Sequence, residues 1–445
     1  MTFRALNHAH IAMEETKPLA RPCAKCRAQE ATLDSRSQAV CSDCFAKFIS
    51  TKCIKQIAIL GKETRVPGHG PPPPNTAATG DTTSARRYLV GLSLGVSSSV
   101  LLQLLNENIE FQLARGRNAP FELTIVHVDA SSSLSLGSQQ QQSDNAAEEI
   151  LSKYRQRYPR FDFRCIPLSA ALSLQTIDWT ALTPLTLPDS HPSKSPAGRL
   201  SELFDNLPSA ASRTDTLRLF IRHILISTSR LERCQALLLG HSTTALAELT
   251  LSETAKGRGF SLPWQINDGA LPVVNYSSSI KTNSPEVPAA TAAAAAETVL
   301  IYHPLQDVLR KELTTYATLT SPPLTALISD LQDKTIATSS SAVVSHKDLS
   351  IEEVMFRYFA EVEENYPSVV ANVARTTGKL LRLDGTAGGE NTTTWCGMCS
   401  MPLDEQGDKR WRGELGEEEK TTTTANGTAA TGGRLCYGCE RTTLG

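Results

Sequence analysis

Eight of the eleven cysteines in this chain fall in four C-x-x-C pairs, two near the start of the sequence and two near its end. The first two pairs, Cys23/Cys26 and Cys41/Cys44, have the spacing C-x2-C-x14-C-x2-C. Two tight turns that each supply two thiolates make a tetrahedral site of the kind that holds a structural zinc ion. The spacing therefore predicts a zinc ion near the N-terminus, and the alternative is a set of scattered free thiols.

The second two pairs, Cys396/Cys399 and Cys436/Cys439, are separated by 36 residues of largely low-complexity sequence. The entropic cost of closing such a loop grows only logarithmically with its length, so the gap does not prevent the pairs from sharing an ion. We predict a second structural zinc ion here. A closed four-cysteine site has no open coordination position, so neither quartet is predicted to be catalytic, and no other catalytic residue is predicted.

The charge of the whole chain limits its partners. Its 445 residues carry a formal net charge of −2, and the pI is near 6.5. There is no global basic field, so a nucleic acid would have to be held by a local basic patch. No apolar segment resembles a signal peptide or approaches the length of a membrane span, which favours a soluble, intracellular protein.

Low-complexity segments divide the chain because such tracts bury too little apolar surface to offset the entropy of ordering them. The predicted divisions are a flexible N-terminus at 1–20, a cysteine knuckle with a connecting helix at 21–66, a Pro/Gly/Thr linker at 67–85, an α/β domain at 86–385 with disordered insertions near 131–146 and 276–297, and a C-terminal cysteine knuckle at 386–445 interrupted by a low-complexity loop at 413–433.

Strands and helices alternate between these segments. The stretches "YLVGLSL", "FELTIVHVDA", "FDFRCIPLS", "QALLLGHS" and "VLIYHPL" have the apolar character of buried strands, and helical patterns separate them. This alternation predicts an α/β fold with a doubly wound parallel sheet. The default ligand site of such a sheet is the carboxyl end of a strand, where backbone N–H groups and a helix N-terminus converge on an anion.

The loop after the first of these strands, "SLGVSSS" at 93–99, resembles the S-G-G-x-D-S loop of the PP-loop ATP pyrophosphatases. Leu94 stands at a glycine position, where a side chain hinders the approach of the backbone to pyrophosphate, and Ser97 replaces the acidic residue that would help to bind Mg²⁺. Both changes argue against ATP turnover by this chain alone. We interpret the loop as an altered nucleotide loop; a plain strand-to-helix turn with a serine cap is the alternative. The predicted nucleotide-binding residues are Ser93, Gly95, Ser97, Ser98, Ser99, Gly240 and His241.

The last two of these residues belong to "LLLGHSTTALAELTLSETAKGRGF", which is similar to the G-H-x-x-D-D strand–turn–helix of PP-loop tRNA thiolases. Gly240 and His241 fit that pattern, and Thr243 and Thr244 occupy its acidic positions. A histidine after a strand can equally be satisfied structurally, so that alternative stays open for His241. The segment that begins at His303 resembles the R-P-L helix start of the same enzymes.

A basic helical segment offers candidate contacts to tRNA phosphates. The residues proposed for this role are Arg218, Arg222, Arg230 and, from the "GRG" segment, Arg258. The alternative is that some of these arginines form the solvated face of a helix that packs on the core.

The cysteine knuckles, the altered loop, the "GHS" and "HPL" segments and the final "LCYGC" together resemble the cytoplasmic tRNA 2-thiolation protein 2 family. The resemblance implies a cytoplasmic protein that forms a heterodimer with a catalytic PP-loop thiolase. That pair 2-thiolates the wobble uridine at position 34 of the tRNAs for lysine, glutamate and glutamine, a step towards mcm5s2U, with sulfur from a thiocarboxylated ubiquitin-related modifier. The alternatives are a chain that itself adenylates tRNA as an ATP-dependent sulfurtransferase and a zinc-dependent interaction scaffold unrelated to RNA.

Overall fold

The computed structural model describes eight stretches of the chain. They are residues 21–64, 86–131, 146–182, 195–276, 297–328, 349–382, 395–403 and 435–444. The predicted flexible N-terminus, the Pro/Gly/Thr linker, the 413–433 loop and nearly all of the two predicted insertions lie outside them. Within the described stretches no helix combines the length and the apolar character needed to cross a membrane.

The chain divides into two compact units, Met1–Phe48 and Ile49–Gly445. The described part of the first unit contains a short antiparallel hairpin of β1 (Leu33–Ser35) and β2 (Gln38–Val40). Helix α1 (Ser42–Glu63) begins directly after the hairpin.

The second unit is built on a six-stranded sheet with the order β5-β4-β3-β6-β8-β7. Its strands are β3 (Arg86–Gly91), β4 (Phe121–Asp129), β5 (Asp162–Pro167), β6 (Ala236–Leu239), β7 (Gly269–Pro272) and β8 (Thr298–Tyr302). All neighbours pair in parallel except β7, which pairs with β8 in antiparallel fashion at the edge. The predicted α/β fold is confirmed, and the edge strand β7 is an addition that the sequence pattern did not indicate.

Helices connect and cover the strands. They are α2 (Val96–Ala114), α3 (Ala146–Arg157), α4 (Pro196–Asp205), α5 (Ala210–Leu231), α6 (Thr243–Ala255), α7 (Leu262–Ile266), α8 (Arg310–Leu319), α9 (Ile351–Asn365), α10 (Pro367–Thr377) and α11 (Tyr437–Leu444). Helix α5 packs on β3, β4, β6 and β8, while α2 packs against α8. The strands are rich in Leu, Val and Ile because both of their faces are covered.

The described C-terminal residues join the same core. Leu89 of β3, Phe220 of α5, Leu237 of β6 and the cysteines of the second quartet belong to one cluster of buried side chains. The second quartet is therefore packed into the unit that contains the sheet, beside helix α5, and the last helix, α11, also contacts α5.

Candidate nucleotide loop and metal centres

The loop between β3 and α2 keeps the backbone shape that its pattern requires without the expected glycine. Leu94 has φ of 63°, in the left-handed region that glycine occupies at low cost, and its side chain is buried. Gly95 follows in an extended conformation at the N-cap of α2 and makes no side-chain cap bond. Leu94 thus adopts the left-handed backbone conformation that glycine favours, and its side chain fills space that a glycine would leave open.

The serine hydroxyls of this loop bond mainly to the loop itself. The Ser98 hydroxyl lies 3.0 Å from the Ser93 hydroxyl and donates to the Gly95 carbonyl oxygen at 3.1 Å. Ser99 also donates to the Gly95 carbonyl, at 2.8 Å, and its oxygen lies 2.6 Å from the Tyr154 hydroxyl. Ser98 and Ser99 are buried, Ser97 is half-buried and Ser93 is exposed. Two of the predicted phosphate ligands are therefore occupied with internal hydrogen bonds.

Gly240, directly after β6, lies beside this loop, and His241 follows it in the sequence. A Cβ atom on Gly240 would come within 2.8 Å of the Ser98 Cα atom, so only glycine lets β6 approach the start of α2 this closely. Burial and the neighbouring His303 lower the pKa of His241 to about 3, so the imidazole is neutral at physiological pH. The two rings lie 5.2 Å apart, and the buried Nδ1 atom of His241 has no hydrogen-bond partner.

The threonines at the acidic positions of the motif are also engaged. Thr243 donates to the Gln306 carbonyl oxygen at 2.6 Å, and Thr244 donates to a carboxylate oxygen of Glu363 at 2.9 Å. The other oxygen of Glu363 accepts the backbone N–H of Lys311 at 2.7 Å. Sequence reasoning missed Glu363; the available signal was its place four residues after Phe359, on the buried face of α9.

The four sulfur atoms of the C-terminal quartet lie within 4.8 Å of one another, and all four cysteines are buried. Four thiols converging from two C-x-x-C turns fit a tetrahedral divalent ion such as zinc. Helix α5 supports the first turn, because Nε2 of His223 lies 2.9 Å from the Met398 carbonyl oxygen. Burial lowers the pKa of His223 to about 4, so the neutral ring donates this hydrogen bond.

A buried ion pair contacts the second turn of this quartet. Arg258 is fully buried and donates from two nitrogens to the two carboxylate oxygens of Asp215, at 2.9 and 2.5 Å. The same guanidinium lies 3.5 Å from the Cys439 sulfur and 3.2 Å from the Thr442 hydroxyl oxygen. Burial alone would raise the pKa of Asp215, but Arg258 and the neighbouring cations hold it well below its usual range. Sequence reasoning did not identify Asp215.

The four arginines predicted to contact tRNA differ in their surroundings. Arg258 is enclosed at the cysteine quartet, so it presents no surface to a phosphate. Arg218 is engaged by Glu253 at 2.6 Å. Arg222 is half-buried, burial lowers its pKa to about 10, and one of its nitrogens donates to the Trp264 carbonyl oxygen.

Arg230, at the end of α5, keeps 26% of its side chain exposed and pairs with Glu297 at 2.7 Å. That pairing is at the surface, where ion pairs contribute little and exchange partners readily.

In the N-terminal unit, the sulfur atoms of Cys23, Cys26, Cys41 and Cys44 also lie within 4.8 Å of one another. The backbone N–H of Cys26 is the main group that lowers the pKa of the Cys23 thiol to about 6. A lowered pKa favours the thiolate, which is the form that binds a metal ion. This quartet also fits a divalent ion.

The comparisons with known proteins come from sequence and from structure. Residues 350–441 match the family model described as cytoplasmic tRNA 2-thiolation protein 2. Proteins of that name from Phaeosphaeria nodorum and Pyrenophora tritici-repentis are 34% and 31% identical to this chain, and each match covers 94% of both chains. Among solved structures, the U34-tRNA thiolase NcsA from Methanococcus maripaludis with its [4Fe-4S] cluster aligns at 16% identity and a TM-score of 0.48, over 85% of this chain and 95% of that one.

Proposed function

Because this chain belongs to the cytoplasmic tRNA 2-thiolation protein 2 family, we propose that it is the supporting subunit of a heterodimer that 2-thiolates the wobble uridine of cytosolic tRNAs for lysine, glutamate and glutamine. Family membership gives the chain a role in cytoplasmic tRNA 2-thiolation, and the names of its relatives agree with the predicted cytoplasmic location. In this proposal the partner is a catalytic PP-loop thiolase, and a thiocarboxylated ubiquitin-related modifier supplies the sulfur.

The observation that favours a supporting role is the state of the loop after β3. Phosphate binding needs free backbone N–H groups and hydroxyls around a close-fitting turn, and Mg²⁺ needs carboxylate oxygens. Here Leu94 fills the turn, Ser98 and Ser99 bond to Gly95, and threonines stand at the acidic positions. These features support a chain that keeps the shape of the nucleotide site and leaves the adenylation of uridine to its partner.

The two cysteine quartets are proposed to hold one structural zinc ion each. In both, four sulfur atoms lie close enough to ligate a single ion. Zinc would fix the two turns of each quartet to one another and would contribute directly to folding free energy. The three remaining cysteines, Cys53, Cys165 and Cys234, have pKa values raised by burial, so they lack the thiolate character of a sulfur-transfer nucleophile.

For tRNA, the exposed end of helix α5 is the part of the predicted set that supports a phosphate contact. We assign that role to Arg230, which pairs with the exposed Glu297 and donates to Asn275 Oδ1, because an ion pair with an exposed carboxylate contributes little and can exchange for a phosphate. Replacing it with alanine should weaken tRNA binding by the complex and reduce the salt dependence of that binding by about one charge. Arg218→Ala is a poor test, because it also removes the partner of the buried Glu253.

The role in thiolation is tested by deleting the protein from its host and quantifying 2-thiolated wobble uridine in bulk tRNA by mass spectrometry of nucleosides. The expected result is loss of the thiolated nucleoside and accumulation of its oxygen counterpart. Rescue is then compared between the wild-type chain, Ser98→Ala and Cys396→Ser. We expect Ser98→Ala to rescue and Cys396→Ser to fail. An unchanged nucleoside ratio after deletion contradicts the role and favours the zinc-dependent scaffold.

The division of labour is tested with the purified chain, tRNA, ATP and Mg²⁺. We expect no release of pyrophosphate from this chain alone and release when the partner thiolase is added. Release by the chain alone, abolished by Ser98→Ala, would establish the alternative of an adenylating sulfurtransferase. A pull-down that recovers neither tRNA nor a PP-loop partner would contradict the heterodimer.

A further inference from the structure

The C-terminal quartet raises a problem of charge. Four thiolates around a divalent ion carry a net charge of −2, and all four cysteines here are buried. A buried charge is costly unless cations or hydrogen-bond donors lie beside it. The positive groups around the quartet therefore bear directly on how tightly it can hold an ion.

Two arginines lie near the quartet, one at each C-x-x-C turn. Arg258 lies 3.5 Å from the Cys439 sulfur through its Nη2 atom. Arg222 and Cys399 line the same small cavity between α5, the end of β7 with the residues after it, and the first turn of the quartet. Each turn of the quartet thus has one arginine beside it.

Arg258 is fixed in place from several directions. Asp215 holds both of its Nη atoms, and Thr442 bridges the two side chains from α11 by donating to Asp215 at 2.8 Å. A Cβ atom on Gly438 would come within 2.7 Å of the Arg258 Cγ atom, so the second turn rests directly on the arginine stem. The position of this guanidinium beside Cys439 is therefore set by packing and not by a mobile surface side chain.

Arg222 differs because no carboxylate pairs with it among the described residues. One of its Nη atoms donates to the Trp264 carbonyl oxygen, and its Nε atom is enclosed without a partner. Elsewhere in this region the cations and carboxylates balance: Arg218, Lys256 and Arg258 face Asp215, Glu253 and Glu352. A half-buried guanidinium that has an enclosed Nε atom and no carboxylate partner in the described parts of the chain, on the same cavity as Cys399, points to an anionic centre at this quartet.

We propose that Arg222 and Arg258 are positioning residues of the C-terminal metal centre. Arg222, which has no carboxylate partner within the described stretches, offsets part of the −2 charge of a divalent ion bound by four thiolates, while Arg258, whose own charge is balanced by Asp215, acts through a hydrogen bond. Arg258 adds a hydrogen bond to the Cys439 sulfur. This role of the two arginines in metal binding is independent of the proposed role of the chain in tRNA thiolation.

The test measures metal affinity in the full-length chain carrying Cys23→Ser and Cys41→Ser, so that only the C-terminal quartet reports. Zinc is competed against a chromogenic chelator, and Co²⁺ is bound in parallel for its sulfur-to-metal charge-transfer bands. We expect Arg222→Met and Arg258→Met each to lower zinc affinity by about 10–100-fold, the range seen when outer partners of metal ligands are removed. Loss of the hydrogen bond in Arg258→Met should also move the charge-transfer bands to lower energy.

Two further variants separate charge compensation from general damage. Arg310→Met removes an arginine that pairs with Glu248 by two hydrogen bonds and contacts no cysteine, so its zinc affinity should match that of the parent chain. Arg258→Met leaves the buried Asp215 carboxylate without its main cation, so the substitution is also made together with Asp215→Asn to remove that charge. If that double variant regains the parent affinity, or if Arg222→Met binds zinc as tightly as Arg310→Met, the proposal is wrong.

Discussion

Leu94 allows the altered loop to be tested by its energetics. The residue is buried at 4% exposure and has φ of 63°, a region that costs a non-glycine residue about 1–2 kcal/mol. Leu94→Ala removes the buried side chain and keeps the unfavourable backbone, so it should destabilise the fold by about 2–5 kcal/mol. Leu94→Gly loses the same packing but relieves the backbone, against an entropic cost in the unfolded chain of about 0.4–1 kcal/mol. The glycine variant should therefore be the more stable of the two, by up to about 1.6 kcal/mol.

The most specific prediction is that the glycine variant is more stable than the alanine variant, because the opposite order of stability is expected at an ordinary helical position. Leu104, buried inside α2, is the matched control. There, glycine should cost about 1 kcal/mol more than alanine. Urea unfolding of the zinc-loaded full chain, followed by far-UV circular dichroism, gives the four free energies. If Leu94→Gly proves less stable than Leu94→Ala, the loop does not hold the left-handed turn, and our account of how leucine replaces glycine there fails.

The remaining predictions concern the neighbours of this loop and the metal centres. Gly240→Ala should lower the free energy of unfolding by about 1–3 kcal/mol because its Cβ meets the Ser98 backbone at 2.8 Å; a melting temperature equal to that of the parent would contradict this. Burial keeps His241 neutral and lowers its pKa to about 3. The unfolded chain binds a proton at this histidine below about pH 6.5 and the folded chain does not, so the free energy of unfolding falls as the pH falls. Between pH 7.5 and 5.5 this histidine should account for about 1.4 kcal/mol of that loss, and His241→Gln should remove this share of the pH dependence in urea unfolding. Zinc analysis of the purified chain should give two equivalents, and Cys23→Ser and Cys396→Ser should each lose one; loss of both ions from either variant would show that the quartets are not independent.

The features that sequence revealed are those carried by local patterns. The alternation of apolar strands and helices predicted the parallel sheet, and the spacing within each C-x-x-C pair predicted which cysteines the structure brings together. The short loop after β3 could be located from its serines and glycine. Each of these signals spans a few residues, so the chain's overall path is not needed to recognise it.

The missing features depend on contacts between residues that are distant in sequence. Arg258 stood in a segment that resembled a tRNA-facing motif, but its partners are Asp215 and a threonine 184 residues later. Glu363 accepts a hydrogen bond from Thr244, which lies 119 residues earlier in the sequence. Nothing in the neighbourhood of these residues indicates their partners, because a charged residue on a helix is usually solvated. Only the packing of α9 and α11 against the α/β core turns them into buried polar networks.

The location of the second quartet has a consequence for the synthesis of the protein. Arg258 and Asp215 leave the ribosome long before Thr442, which lies 184 residues after Arg258 and completes their network. At about 5–20 residues per second, the nascent sheet would wait about 10–40 s for the helix that closes it. For most of that interval none of the four cysteine ligands has been synthesised, because Cys396 comes 138 residues after Arg258, and Cys436 and Cys439 are added only at its end. A premature stop codon a few residues before Cys436 would therefore remove part of the domain core and two ligands of the metal site. Such a truncated chain should be recognised by chaperones and proteases as a misfolded protein.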